Sequence, residues 1–508
     1  MIPKIQYQTL RLVRSPKFFY VVIAVLCIQA AWIALTARYP QAFDENFHFG
    51  LIKLHSHQLL PFFTSQPDGA AVQGAVIRDP SYFYHYIMSL PFRLLTVITN
   101  SQTAQIIVLR FLNIGLFVGG LLVYQKLFKE LRISTAITNV VLLFFVLIPV
   151  VPLLAGQINY DNMMFLCTGL LFLYSVRYAR TVNGGVQRNR QQLLTLGLQV
   201  IIFGSLGSIV KFPFVPIFLA LFVILTFITI RRFKKLTSII SAPLDSAETD
   251  TPVVTLRLVS LVIIALLFVS LGIERYGTNL LQYHTPVPAC NQVISKSECM
   301  EYSPFARDAL FAAILPRPNL SGIITYPAVW AHRMVYESMF SITSYQSEVD
   351  GLAYYTPQPP LTVANYTAWI IVTASGLSII LCFRTIIKRR TLVILLMAIG
   401  FYIAILFSQN FSSYLNTGEV VSVHGRYLIP IYPILLLVAV LSIGQVTSWL
   451  RLAKYNYLLV VITLTFFLQG GGIIGWIVHS DSAWYWQQLP VTGQVNRSAQ
   501  AVLKQILH

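Results

Sequence analysis

Apolar residues run through this chain in long unbroken stretches, separated by short polar segments that are mostly basic. A helix needs about 20 predominantly apolar residues to cross roughly 30 Å of hydrocarbon. Eleven stretches approach that length: 18–37, 104–125, 134–154, 159–178, 193–210, 213–230, 255–273, 364–383, 391–408, 427–449 and 456–479. They are too long for the ~10-residue alternating strands of a membrane barrel. The pattern therefore predicts an all-α fold, a polytopic transmembrane helix bundle of about 11 spans.

The basic residues give the expected orientation. Lys4, Arg11, Arg14 and Lys17 precede the first stretch, and Lys126, Lys129 and Arg132 follow the second. Arg177, Arg180, Arg188 and Arg190 follow the fourth, and Arg231, Arg232, Lys234, Lys235 and Arg257 lie between the sixth and seventh. Arg384, Lys388, Arg389 and Arg390, then Arg451 and Lys454, mark the last two. All of these segments fall on one side when the N-terminus is cytoplasmic, as the positive-inside bias requires. The first stretch is longer than the 7–15-residue apolar core of a signal peptide and reads as an uncleaved anchor.

Composition agrees with a membrane protein. Of 508 residues, 56% are hydrophobic and 11% charged, where soluble domains carry about 25% charged residues. That excludes a disordered chain and an ordinary soluble enzyme. The net charge of +18 is accounted for by topology, so nucleic acid is not expected as a partner.

This topology divides the chain into an N-terminal transmembrane module, 1–273, a large extracytoplasmic loop, 274–363, C-terminal transmembrane helices, 364–479, and an outer tail, 480–508. The first outer loop is 38–103. Within it, HFGLIKLHSHQLLPFF predicts an amphipathic surface helix using Leu51, Leu54, Leu59 and Leu60. RDPSYFYHYIMSLPFRLLTVI, with Pro91 and Arg93, predicts an interfacial or re-entrant helix rather than a span. The segment 241–252 is a polar inner linker. Cys27, Cys167 and Cys382 fall in apolar stretches. Cys290 and Cys299 share the large outer loop and would pair as a disulfide in an oxidising compartment.

Acidic residues are scarce, so their positions carry information. Asp44 and Glu45 stand side by side just past the first stretch, followed by His48, a set suited to a general base or a metal ligand. A solvated loop with an N-capping aspartate fits the same residues. Asp161 opens the fourth stretch, where the helix dipole alone would favour it. Lys211 lies at an outer hairpin, against the positive-inside bias, placed either to snorkel or to bind a lipid phosphate. Arg426, beside His424 and Gly425, is a good anion clamp or an interfacial arginine paired with Glu419. All of these lie at outer ends of predicted spans. Together they suggest one outward-facing cavity, with a carboxylate to deprotonate an acceptor and cations to stabilise a departing phosphate.

The arrangement resembles the GT-C glycosyltransferases, integral membrane enzymes that use polyprenyl-phosphate-linked sugars. The resemblance rests on Asp44-Glu45 in FDENFHF and on DPSYFYHYIMSLP, similar to a Pro-Pro-x-Tyr-Tyr segment with Ser81 in place of one proline. VLRFLN at 108–113, NYDN at 159–162, the lysine of SIVKFP and HGRYLIPIYP at 424–433 also fit, the last resembling a Gly-Arg-Tyr-x-x-Pro element of a less characterised bacterial branch. It covers about 40–430. The resemblance implies Asp44 as catalytic base, with Glu45 sharing that role or binding a metal. It implies Lys211, Arg426 and His424 at the donor phosphate, and His48, Asp79, His85 and Asp161 on the acceptor or sugar side. No cofactor is certain; a divalent metal is compatible with the acidic pair. The expected partners are a polyprenyl-phosphate-linked sugar, membrane lipids and a glycan, lipid or protein acceptor, on the extracytoplasmic face of the plasma membrane. Tyr302, Tyr326, Trp330, Tyr336, Tyr345, Tyr354 and Tyr355 in the large loop suit sugar stacking or interfacial packing equally well. Two other readings stay open. A transporter or flippase of lipid-linked glycan would show more mid-span charges and internal repeats. A glycan polymerase or ligase would not need the acidic pair.

Overall fold

The structure, a computed structural model, describes residues 11–41, 43–183, 190–232, 252–340, 362–470, 472–479, 484–486 and 489–507. The polar linker 241–252, apart from Pro252, and Tyr345, Tyr354 and Tyr355 lie outside them. The chain runs through α1 (Phe18–Thr36), α2 (Glu45–Ser56), α3 (Phe83–Ile98), α4 (Gln102–Glu130), α5 (Thr135–Leu147), α6 (Val150–Ala155), α7 (Asp161–Asn183), α8 (Arg190–Val210) and α9 (Val215–Arg231). It continues with α10 (Pro252–Gly272), α11 (Leu320–Phe340), α12 (Thr362–Leu381), α13 (Arg390–Thr417), α14 (Tyr432–Trp449), α15 (Asn456–Gly470), α16 (Gly472–His479) and α17 (Pro490–Leu507). Among the described residues there is no strand, only an isolated bridge between Ala37 and Tyr485.

Among the described residues seven helices are long and apolar enough to cross a membrane: Phe18–Thr36, Gln102–Glu130, Gln191–Val210, Phe212–Arg231, Leu256–Tyr283, Arg390–Thr417 and Tyr432–Trp449. The other four expected stretches are helical but fall short of that standard, so eleven crossings are not established by length and apolarity. The stretch 134–154 is divided into α5 and α6 at Ile148-Pro149, where proline removes a backbone donor and clashes with the preceding turn. The stretch 456–479 is divided into α15 and α16 at the Gly470–Gly472 run. The apolar part of α12, Tyr366–Leu381, is short. In α7, Asp161 opens the helix and Arg177 and Arg180 stand in its last turns.

The segment 38–103 contains two packed helices, α2 and α3. α2 buries His48, Phe49, Ile52 and His55 against α3, a spacing of three and four residues that keeps one helical face inward. It ends at Ser56, so Leu59 and Leu60 lie beyond it, exposed. At its end Arg93 of α3 donates to the carbonyl of His55, in the last turn, and to that of Gln58, just past it. Neither α2 nor α3 is among the seven apolar helices.

Aromatic rings lock α4 to α7. Phe165 stacks on Phe117 at 4.4 Å and on Tyr124 at 5.0 Å, with Phe145 of α5 at 5.3 Å. Gly120 makes room for this: a Cβ there would lie 2.3 Å from the Phe165 ring. Small residues that admit close helix approach are the usual device where lipid supplies no hydrophobic drive between helices. The packing brings Asn113 of α4 against the first turn of α7, where Asn162 Nδ2 donates to Asn113 Oδ1 at 3.0 Å. Cys290 and Cys299 form a disulfide in the large loop, between two short helices that precede α11.

The tail after α16 returns to the same end of the bundle as Asp44. Arg38 N–H donates to the Trp484 carbonyl at 2.9 Å, and the Trp486 ring lies 5.3 Å from the Arg110 guanidinium. α17 is tied to α1 through Asn496, whose side chain accepts from Trp32 Nε1 at 2.8 Å.

Candidate functional site

The two adjacent carboxylates face opposite ways. Glu45 is fully buried and receives Arg110 through Nε at 2.8 Å and Nη2 at 2.7 Å. It also accepts the N–H groups of Gln41 at 2.8 Å and Ile158 at 3.1 Å. Arg110 Nη1 donates to the carbonyls of Ala34 and Ala37, at 3.0 and 2.6 Å. A helix start, a loop and the end of α1 are thus fastened to one ion pair.

Asp44 points into a cavity of about 1550 Å3, into which its side chain is 58% exposed. It occupies the N-cap position of α2, yet its side chain makes no capping bond. Instead Oδ2 accepts from Arg426 Nη2 at 2.7 Å. Phe43 and Asp44 both adopt left-handed backbone conformations, at φ 68° and 67°. That conformation is costly for residues with a Cβ and persists only where the surroundings impose it. Here Asn159 Nδ2 holds the Phe43 carbonyl at 2.9 Å on one side, and the Glu45–Arg110 pair holds the other. Burial alone would push the Asp44 carboxyl up. Arg426, by charge and hydrogen bond, then Lys211 and His424, outweigh it and hold the carboxyl below the usual range.

Arg426 comes from the turn Gly425–Leu428 that precedes α14. Its guanidinium is buried beside the Phe43 and Tyr427 rings, 5.1 and 5.2 Å from their centres. Its Nε and Nη1 have no hydrogen-bond partner among the described residues. Gly425 does not open space for a ligand, because α11 fills the position its side chain would take. A Cβ there would lie 2.0 Å from Ser338 Oγ and 2.6 Å from the Met334 carbonyl. His424 accepts the Arg426 N–H at Nδ1, 3.0 Å, so its proton sits on Nε2, which faces Glu337 at 3.3 Å. Burial lowers the His424 pKa despite Glu337.

Lys211 does not line this cavity. It is buried behind it, paired with Asp161, with its ammonium 4.4 Å from the Tyr160 ring and 4.8 Å from the Tyr427 ring. The two rings line the cavity and stand between it and the lysine. His48 also lines the wall, its Nδ1 3.0 Å from Nε2 of His85 behind it. Burial first, then for His48 the charges of Arg426 and Lys211, keep both imidazoles neutral. Asp79 lies away from the cavity, half-buried, accepting the Ser81 N–H at 2.8 Å, and desolvation raises its pKa. Of the loop aromatics, Tyr302 and Tyr336 line the cavity, whereas Tyr326 and Trp330 pack on Phe407.

Sequence reasoning missed Arg110, Glu337 and the asparagines that carry the loop. Asn113 Oδ1 accepts from Tyr84 at 2.9 Å and from Asn162 at 3.0 Å, and Asn159 holds Phe43. The signal was present: Arg110 and Asn113 lie in VLRFLN, and the other two bracket NYDN. The residues present do not fit a metal on the acidic pair, since Glu45 is turned into Arg110. Among the described residues no group of three or more His, Cys, Asp or Glu side chains is placed to hold one.

No model of a known protein family matches the chain, and no curated protein matches it in sequence. Solved structures that resemble it include the archaeal oligosaccharyltransferase AglB from Archaeoglobus fulgidus in complex with an inhibitory peptide and a dolichol-phosphate. That match has 13% identity and a TM-score of 0.43, over 93% of this chain and 56% of that one. The apo form of the Archaeoglobus fulgidus oligosaccharyltransferase matches at 12% identity and TM-score 0.43, over 93% and 57%. The chain spans little more than half the length of those proteins, and, both being archaeal, they lend nothing to a bacterial branch.

Proposed function

We propose that this protein is a membrane glycosyltransferase of the GT-C kind, moving a sugar from a polyprenyl-phosphate-linked donor to a cell-envelope acceptor. One observation supports this most: at the wall of a large cavity a buried arginine touches an exposed carboxylate, and its charge is not otherwise paired among the described residues. Arg426 holds the donor phosphate through its charge at the cavity wall; Lys211, from behind Tyr160 and Tyr427, adds to the field. Asp44 takes the proton of the acceptor group through Oδ1, its other oxygen being held by Arg426. The acceptor oxygen or nitrogen bonds to the anomeric carbon as the bond from that carbon to the phosphate oxygen breaks. The electron pair goes to the phosphate, where the cations stabilise it. Attack opposite the leaving phosphate inverts the anomeric carbon. Glu45 is a positioning residue in this scheme, and His424 orients the Arg426 backbone.

In the same proposal the bundle crosses the membrane eleven times with a cytoplasmic N-terminus. The cavity then opens on the extracytoplasmic side, where a membrane-borne donor is required because nucleotide sugars are cytosolic. The modules 1–273, 274–363, 364–479 and 480–508 follow from that topology. The experiment is release of polyprenyl phosphate from polyprenyl-phosphate-linked sugars by the purified full chain. Asp44→Asn is expected to lower the rate by about 10²–10⁴-fold, the usual worth of a general base, while the protein still folds. Full activity in that variant would overturn the assignment; flipping without release would favour a transporter.

A further inference from the structure

A second polar cavity lies at the far end of the bundle. α7 carries Asp161 at its start and Arg177 sixteen residues on, which at 1.5 Å per residue is about 24 Å, most of a bilayer core. There α4, α7, α8 and α10 enclose about 600 Å3 between Glu130, Arg177, Arg180, Gln192, Gln199 and Arg257, a size typical of small-ligand sites. The single carboxylate is shared: Arg177 Nε donates to one Glu130 oxygen at 2.8 Å and Arg180 Nη1 to the other at 2.9 Å. Arg257 adds a third guanidinium and has no ion-pair partner among the described residues. Lys126 and Lys129 line an adjoining hollow that shares Glu130 and Arg177.

Topology alone explains basic helix ends but not their convergence on a cavity. Nor does it explain Gln192, Thr195 and Gln199, which repeat at three and four residues and bring neutral hydrogen-bonding groups to the same wall. Beside the cavity, Leu256, Val259 and Ile263 leave an apolar stripe exposed along α10. We propose that this cavity binds the phosphate headgroup of an anionic phospholipid, with its acyl chains along α10. A basic pocket between membrane helices next to an apolar flank has the chemistry for such a lipid. The proposal does not depend on the reading of the Asp44 cavity.

The test is native mass spectrometry of the full chain in detergent with phosphatidylglycerol or phosphatidylcholine. Phosphatidylglycerol is expected to be retained preferentially. Arg257→Gln should weaken it roughly fivefold, the effect of about 1 kcal/mol per cation. Thr195→Leu, which fills the cavity without changing charge, should weaken it too. Lys454→Gln, which removes a cation elsewhere at the same end, should not. Equal retention of the two lipids overturns the proposal, as does equal weakening by Lys454→Gln, or retention undiminished in Thr195→Leu. Glycerol 1-phosphate binding as tightly as the lipid overturns it as well, since the site would then take a soluble phosphate.

Discussion

Replacing Arg110 by methionine removes one partner of a fully buried ion pair. Glu45 would keep the N–H groups of Gln41 and Ile158 but lose both guanidinium bonds. The carbonyls of Ala34 and Ala37 would lose their Nη1 donor. Leaving a buried charge unpaired costs about 3–5 kcal/mol, and each stranded carbonyl costs about 1–3 kcal/mol if water does not reach it. Against a typical stability of about 5–15 kcal/mol, the single change removes a third or more. Adding Glu45→Gln makes the carboxylate neutral, so the double variant should recover part of the loss. The two changes should be non-additive by about 0.5–3 kcal/mol. Denaturant unfolding of the full chain in detergent measures all four corners of the cycle. Transfer activity should fall with Arg110→Met, because the left-handed backbone at Phe43 and Asp44 loses one of its two anchors. Two outcomes would refute this account: Arg110→Met as stable as the wild type within about 0.5 kcal/mol, or strictly additive losses. Glu45→Gln that abolishes activity while leaving stability untouched would identify Glu45 as a base rather than a positioning residue.

Gly425→Ala should be destabilising and inactivating together, because the new Cβ would meet the Met334 carbonyl at 2.6 Å and the Ser338 nitrogen at 2.7 Å. Those are backbone atoms of α11 and cannot swing aside, so the loop must move and carry Arg426 away from Asp44; wild-type activity with an unchanged melting temperature contradicts this. Acidification should weaken the fold through His55, whose pKa burial pushes down to about 4 from 6.5. The folded state binds fewer protons than the unfolded one in this range, so the contribution is complete above pH 6.5 and is lost as pH falls from there toward 4. Between pH 7.5 and 5 it amounts to about 2 kcal/mol. Asp79, with its raised pKa, acts in the opposite direction. Comparison with His55→Gln therefore isolates the effect: the variant should lose less stability on acidification, and equal slopes would sink the argument.

Hydrophobic runs and their flanking charges are local properties. The chain therefore announces a helical bundle with helices of membrane-crossing length and apolarity, the helical first loop, and helix ends where charged residues gather. It also announces Asp44 and Arg426 as candidates, since charged residues are costly to place at membrane depth and so stand out. What a one-dimensional pattern does not hold is direction and partnership. Asp44 and Glu45 are neighbours in sequence, yet a left-handed turn sends one to the cavity and the other to Arg110, 65 residues away. Lys211 and Arg426 look equivalent as outer cations. Packing puts the first behind two tyrosine rings on Asp161 and the second against Asp44, across 382 residues. Such pairings depend on how α4, α7, α11 and the turn before α14 pack, and close packing of rings and small residues decides that only when the whole chain is folded.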